Sequence, residues 1–257
     1  KKKLINLFNK KKQVGGNLFI KLFNHIMIRL NSSIPYDYYF IDSKLNYPKN
    51  KNSKIIKNHS LDYDIYLKNR KKIKKKHIVF LDSNVIGHSD YNIHSTKSPV
   101  NKNKYLNDIN NFLYKIEKSF KQNVIIAANP KSKLGLVKKN FNNRKVFMNK
   151  SFELIRDAKL VLTHKSTAVS FVLCLKKPLI FVTSDSLDKT WYGDQIKYQA
   201  KLTGSLIINI NANNQNNLKD FFKINKNKYK YYIYRYIKYP NTKQVYNWDL
   251  FTKKLSQ

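Results

Sequence analysis

The chain has 257 residues, 42% of them hydrophobic and 14% aromatic, enough apolar material to bury a large core and to exclude a disordered polymer. Basic residues outnumber acidic ones by 51 to 15, giving a net charge of +36. No apolar run approaches the roughly 18–20 residues needed to cross a bilayer as a helix.

The first twelve residues are rich in lysine. The run LFIKLFNHIMIRL (Leu18–Leu30) predicts a helix with Lys21, His25 and Arg29 on one face. Such a helix either packs on its own domain or lies on a membrane surface. YDYYFID (Tyr36–Asp42) and KIIK (Lys54–Lys57) read as short strands. RKKIKKK (Arg70–Lys76) has the composition of a linker, so a boundary is expected there, with 1–76 as a partial N-terminal α/β portion.

Strands and helices then alternate. Strands are expected over Ile78–Leu81, Val124–Ala128, Lys145–Met148, Leu160–Thr163, Leu179–Val182 and Leu206–Ile210. Helices are expected over Tyr105–Phe120, Ser151–Asp157, Ser166–Leu175 and Thr190–Leu202. The alternation predicts an α/β, Rossmann-like parallel sheet flanked by helices over 77–217. A helical tail is expected over 218–257. Its run KYKYYIYRYIKY has the composition of a nucleic-acid surface, yet Tyr229, Tyr232, Ile233, Tyr236 and Ile237 form one helical stripe suited to docking on a domain.

The charge is carried by 46 lysines and only 5 arginines. Arginine is the residue of choice for bidentate phosphate and base recognition, so nucleic acid is disfavoured as a partner. Abundant Lys, Asn, Ile, Tyr and Phe is the bias of AT-rich coding, and attraction to an anionic membrane face is the other reading. The single cysteine, Cys174, sits in the apolar run SFVLCL and is expected to be a buried, inert thiol.

Chemistry concentrates where strands end, since parallel sheets bind ligands at the carboxyl ends of their strands. One loop carries Asn129, Pro130, Lys131 and Ser132. Another carries His164, Lys165, Ser166 and Thr167, where Ser166 or Thr167 is expected to cap a helix whose free N–H groups would receive an anion. Glu153 is either a capping-box member or a ribose-binding carboxylate. Asp82, Asn84, His88, Asp90 and His94 follow the strand HIVFLD, and His88 and Asp90 are candidates for acid–base work. The DYD run (Asp62–Asp64) is too short to count as a metal site, and there is no Gly-rich phosphate loop or zinc spacing, so neither a metal nor a cofactor is expected.

FLDSNVIGHSDY (Phe80–Tyr91), IIAANPKS (Ile125–Ser132), SFELIRDAKLVLTHKSTAVSF (Ser151–Phe171) and KPLIFV (Lys177–Val182) together resemble the C-terminal, donor-binding half of GT-B glycosyltransferases, especially bacterial surface-carbohydrate transferases of the sialyltransferase and capsule-polymerase kind. In that family a His-Pro pair after a strand and a Ser/Thr pair at a helix start hold the donor nucleotide. Ser166 and Thr167 match the second pair, whereas Asn129 stands where histidine is usual. The resemblance implies a metal-independent transferase, truncated or reduced on its acceptor side. It would move a sugar from a nucleotide-sugar to a polysaccharide or glycolipid at the cytoplasmic face of the cell envelope. Polyol-phosphate transfer of the CDP-glycerol type, or a non-catalytic basic surface-binding module, are the alternatives.

Overall fold

The computed structural model describes residues 38–43, 54–70, 76–88, 91, 97–212 and 217–256. Two compact units are distinguished: one takes 1–41 and 46–57, the other 42–45 and 58–257. In the first, β1 (Tyr38–Ile41) and β2 (Lys54–Lys57) pair in parallel, Tyr38 opposite Lys54 and Ile41 opposite Lys57. The helix expected over Leu18–Leu30, and the lysine run over 71–75, lie outside the described residues.

The division falls near residue 57 and not at the expected 76, because α1 (Leu61–Asn69) packs with the second unit. Its Tyr63 is buried against Cys174 and Ile237. The sequence gives α1 little signal: LDYDIYLKN lacks a continuous apolar stripe, and Tyr63 alone is fully withdrawn from water.

From there the chain alternates through β3 (His77–Leu81), α2 (Lys102–Phe120), β4 (Val124–Ala128), α3 (Leu134–Asn140), β5 (Val146–Met148), α4 (Ser151–Arg156), β6 (Ala158–Thr163), α5 (Val169–Cys174), β7 (Leu179–Thr183), α6 (Asp185–Asp188), α7 (Trp191–Thr203) and β8 (Leu206–Asn209). These six strands, all parallel, lie in the order β5-β4-β3-β6-β7-β8. The fold is thus the expected α/β, Rossmann-like sheet. Helices on both faces leave the middle strands dry, and every residue of β7 (LIFVT) is buried.

Local chemistry fixes the helix ends. α2 starts three residues ahead of its expected position because the Asn101 side chain accepts the Lys104 N–H at 3.2 Å, capping it. It turns Tyr105, Ile109, Leu113 and Ile116 into the core. At its far end Glu117 receives Arg144 through Nε (3.2 Å) and Nη2 (2.9 Å) and the Val124 N–H (2.9 Å), tying the helix to the start of β4. The short α3 and α6 bury only Val137 and Leu187, and so leave almost no periodic trace in the sequence.

After a 3₁₀ turn (Leu218–Phe222) come α8 (Lys226–Tyr236) and α9 (Asn247–Leu255). The aromatic-basic run docks as its stripe predicts: Tyr229 and Ile237 are buried, and Tyr232, Ile233 and Tyr236 pack partly against the core. The Tyr229 hydroxyl donates to the Lys177 carbonyl at 2.9 Å, and buried Lys177 donates its ammonium to the Ala158 carbonyl at 2.6 Å. Cys174 is buried beside it, its thiol pushed up to about 12 by desolvation, which makes it inert as expected.

The α6–α7 corner admits no side chain at Gly193. A Cβ there would stand 2.8 Å from the Asp188 Cα and closer still to the Leu187 carbonyl oxygen. Gly193→Ala is therefore expected to cost about 1–3 kcal/mol through overpacking, read as a lower denaturant midpoint. An unchanged midpoint would contradict this contact.

Candidate functional site

In the strand order, β4 and β5 lie on one side of β3, and β6, β7 and β8 lie on the other. The chain leaves β3 towards β4 on one side and leaves β6 towards β7 on the other, and crossovers that part in this way open a crevice at the carboxyl ends of β3 and β6. A cavity of about 460 Å³ occupies this place. Its walls come from the ends of β3 (Leu81, Asp82, Ser83), β4 (Asn129, Pro130) and β6 (Lys165, Ser166, Thr167), with His88, Ser151 and Asp62.

The loop after β6 is held from below. His164 is fully buried. Its Nδ1–H donates to the Val182 carbonyl at 2.6 Å, so Nε2 is the acceptor for the Tyr105 hydroxyl at 2.7 Å. Phe80 meets the ring edge-on at a centroid distance of 5.5 Å. Burial lowers the imidazole's pKa to about 4, so it is neutral at physiological pH. Of the two roles open to His164, orienting its loop or meeting a ligand phosphate, the second is corrected and the first fits: the ring is enclosed, uncharged and engaged on both nitrogens.

Lys165, the next residue in the bend after β6, faces the cavity instead. Its ammonium donates to Gln195 and stands 5.7 Å from the ring centroids of both Trp191 and Tyr192. Buried Ser83 joins the two central strand ends, donating its hydroxyl to the Lys165 carbonyl and accepting the Lys165 N–H at 3.3 Å.

The start of α5 differs from expectation. The Ala168 N–H goes to Ser166 Oγ at 3.2 Å, Val169 to the Ser166 carbonyl at 3.3 Å, and Ser170 to the Thr167 carbonyl at 3.2 Å. These N–H groups are spent on the turn, so what this end of the cavity presents is the side chains of Lys165, Ser166 and Thr167. In the β4 loop, Asn129 and Pro130 line the cavity, but the Asn129 amide oxygen accepts the Lys131 N–H at 2.9 Å. The side chains of Lys131 and Ser132 are not part of the lining. Glu153 is also absent from it, exposed on α4, where Lys150 and not Ser151 occupies the N-cap position; a capping box does not form.

Of the two acid–base candidates, His88 lines the cavity with its ring 6.0 Å from those of Tyr91 and Tyr192. Asp90 lies outside the described residues. Among the described residues, the carboxylates that reach the cavity are Asp82 and Asp62. Desolvation raises Asp82 to about 6, although its carboxylate accepts the backbone N–H groups of Asn84 and Asn129. The Asp62 carboxyl is raised by the same cause, partly offset by the Ser170 hydroxyl. Asp82 was visible as the polar residue directly after a buried strand. Asp62 was not, because only the folding of α1 onto α5 brings it to the sheet. The DYD run does not act as a unit: Asp64 turns away and accepts the Asn247 N–H at 3.1 Å.

No protein-family model and no curated protein matches this chain. Solved structures do: one is the UDP-GlcNAc 2-epimerase of Methanocaldococcus jannaschii, crystallised with UDP-GlcNAc and UDP. The two are 16% identical with a TM-score of 0.40, over 76% of this chain and 59% of the epimerase. This chain thus spans less than two thirds of that protein's length.

The buried imidazole gives stability a defined pH dependence. Between pH about 4 and its ordinary 6.5, the unfolded chain protonates His164 and the folded chain does not. Its contribution is thus full above about 6.5 and is lost as pH falls towards about 4. Asp82 acts oppositely: the folded acid keeps its proton up to about 6 and the unfolded one releases it near 3.8, so stability is lost as pH rises through that interval. The two oppose each other in the wild type, and a variant separates them. The stability gap between wild type and His164→Asn, measured by urea unfolding, is expected to shrink by roughly 3 kcal/mol from pH 7 to pH 4. A gap independent of pH would overturn the buried neutral assignment.

Proposed function

We propose that the crevice binds a nucleotide-linked sugar and that the protein transfers the sugar to an acceptor hydroxyl. The observation that carries this reading is a carboxylate poised near neutrality, Asp82, in one switch-point cavity with Lys165, Ser166 and Thr167. A general base works best when its pKa lies near the operating pH. Above pH about 6 Asp82 is ionised and able to take the acceptor's proton. The acceptor oxygen then bonds to the anomeric carbon as the bond from that carbon to the phosphate oxygen breaks. The nucleotide leaves with the electron pair, and the Lys165 ammonium and the two hydroxyls stabilise the charge on its phosphate.

In this reading Asn129 and Pro130 close the side of the pocket nearest β4, and His88 flanks the base. Asp82 thus takes the role the sequence offered to His88 or Asp90. A surface polysaccharide or glycolipid is the acceptor that the resemblance implies, and no metal takes part in the steps described.

Calorimetric titration with UDP, CDP and CMP tests the binding half. At least one should bind, and Lys165→Ala and Thr167→Ala should each weaken it about tenfold, the usual scale for losing a charge-assisted hydrogen bond. Failure of all three nucleotides would end the proposal. Asp82→Asn should keep nucleotide affinity and reduce turnover by about 10²-fold or more. It should also remove an ionisation near pH 6 from the kcat/KM profile, whose rising limb reports this carboxyl.

A further inference from the structure

Away from the crevice, α1 and the start of α9 are stitched side by side. The His59 Nε2–H donates to the Val245 carbonyl at 2.8 Å, Asn247 Nδ2 donates to the His59 carbonyl at 2.8 Å, and the Asn247 N–H donates to Asp64. Leu61, Asp64, Ile65 and Lys68 share one face of α1 by their three- and four-residue spacing. Because Asp64 on that face grips Asn247, the segment Val245–Trp248 adjoins it.

What the two segments present together is apolar and open to solvent. Leu61 is 74% exposed and Trp248 70%, with Tyr246 at 43%, Ile65 at 40% and Val245 at 37%. Scattered exposed apolar residues are ordinary, but large ones gathered on adjoining segments mark a contact surface. Its edge is basic: Lys68 closes α1, Lys243 precedes the segment, and Lys253 and Lys254 close α9, against the carboxylates of Asp249 at the start of that helix and of Asp64, which holds the Asn247 N–H. Trp248 and Phe251, one turn apart, lie with ring centroids 5.4 Å apart, which gives α9 an aromatic side.

We propose that this α1–α9 surface docks on an anionic lipid bilayer, with Leu61 and Trp248 entering the interface and the lysines meeting lipid phosphates. Charge complementarity selects this occupant. A chain of net charge +36 repels a second copy of itself and is drawn to a polyanionic plane. Tryptophan and tyrosine are the side chains that favour the depth of the lipid headgroups, and a rim of lysines around an apolar centre is the pattern of an interfacial helix. Among the described residues no helix is long and apolar enough to cross a membrane, so the contact proposed is with the surface alone. Asp62, next to Leu61 in α1, reaches the crevice. The same helix therefore sets the crevice close to the lipid surface, where a membrane-borne acceptor would reside.

Co-sedimentation of the full chain with vesicles decides the matter, independently of nucleotide binding. At roughly 0.1 M salt the protein should pellet with phosphatidylcholine vesicles containing about 30% phosphatidylglycerol and much less with phosphatidylcholine alone. The Leu61→Ser/Trp248→Ser double variant should lose about tenfold or more in apparent affinity, as two large apolar side chains cease to be buried. Both side chains are exposed, so its thermal midpoint should match the wild type. If that variant does not fold, Lys253→Glu/Lys254→Glu provides the same reading through the charged rim. Absence of binding to the anionic vesicles, or undiminished binding by the folded variants, overturns the proposal. So does a wild-type dimer in sedimentation velocity that the double variant dissolves, since a second copy would then cover the surface.

Discussion

The crevice depends on one buried side chain, His164. Its ring ties three elements at once: the end of β6 that bears it, β7 through the Val182 carbonyl, and α2 through the Tyr105 hydroxyl. A neutral imidazole has one donor and one acceptor, and each meets a complementary group, so its burial leaves no polar atom without a partner. The geometry also selects the tautomer. With His164 locked inward, Lys165 is turned outward, and Ser83 then binds the Lys165 backbone to the end of β3. The loop that offers positive charge to the cavity is positioned by a residue that never touches it.

A second constraint is electrostatic. The protein is overwhelmingly basic, yet the cavity at the switch point contains two carboxylates, Asp82 and Asp62, both shifted upward by desolvation. Withdrawing a carboxylate from water in a positively charged molecule needs local enclosure, because distant surface lysines are screened over about 8–10 Å at ordinary salt. The sheet supplies this enclosure: Asp82 follows a strand with no exposed apolar residue, and the neighbouring strand ends close around it. Lys165 is held against Gln195 and the rings of Trp191 and Tyr192, so its flexible stem is ordered before any ligand arrives.

The nine residues of α1 serve three directions. Tyr63 points to the core beside Cys174 and Ile237, Asp62 to the crevice, and Leu61 with Ile65 to solvent. A helix with so divided a task shows little amphipathic periodicity, which is why its sequence reads as a gap between a strand and a linker. The lysine-tyrosine run of α8 is the opposite case. Its composition suggested nucleic acid, but its spacing placed the stripe from Tyr229 to Ile237 on one face, and that face is buried. Periodicity reports which side faces the core, whereas composition alone reports only what the surface carries.

Strand positions, the parallel sheet and the location of the crevice were all legible in the sequence, because apolar runs of four to six residues broken by polar loops have few other ways to fold. So were Ser166, Thr167, Asn129 and His88 as cavity residues, each one placed directly after a strand or in the loop that follows it. The sequence could not determine which of two adjacent residues, His164 or Lys165, faces the cavity, since both are polar and the choice depends on Tyr105 approaching from 59 positions away. Nor could it reveal that the first N–H groups of α5 are taken by the turn before it, or that Asp62 crosses to the sheet. Those facts arise from contacts between distant segments: local pattern determined where the strands end, and tertiary packing decided which side chains stand at those ends and in what state of charge.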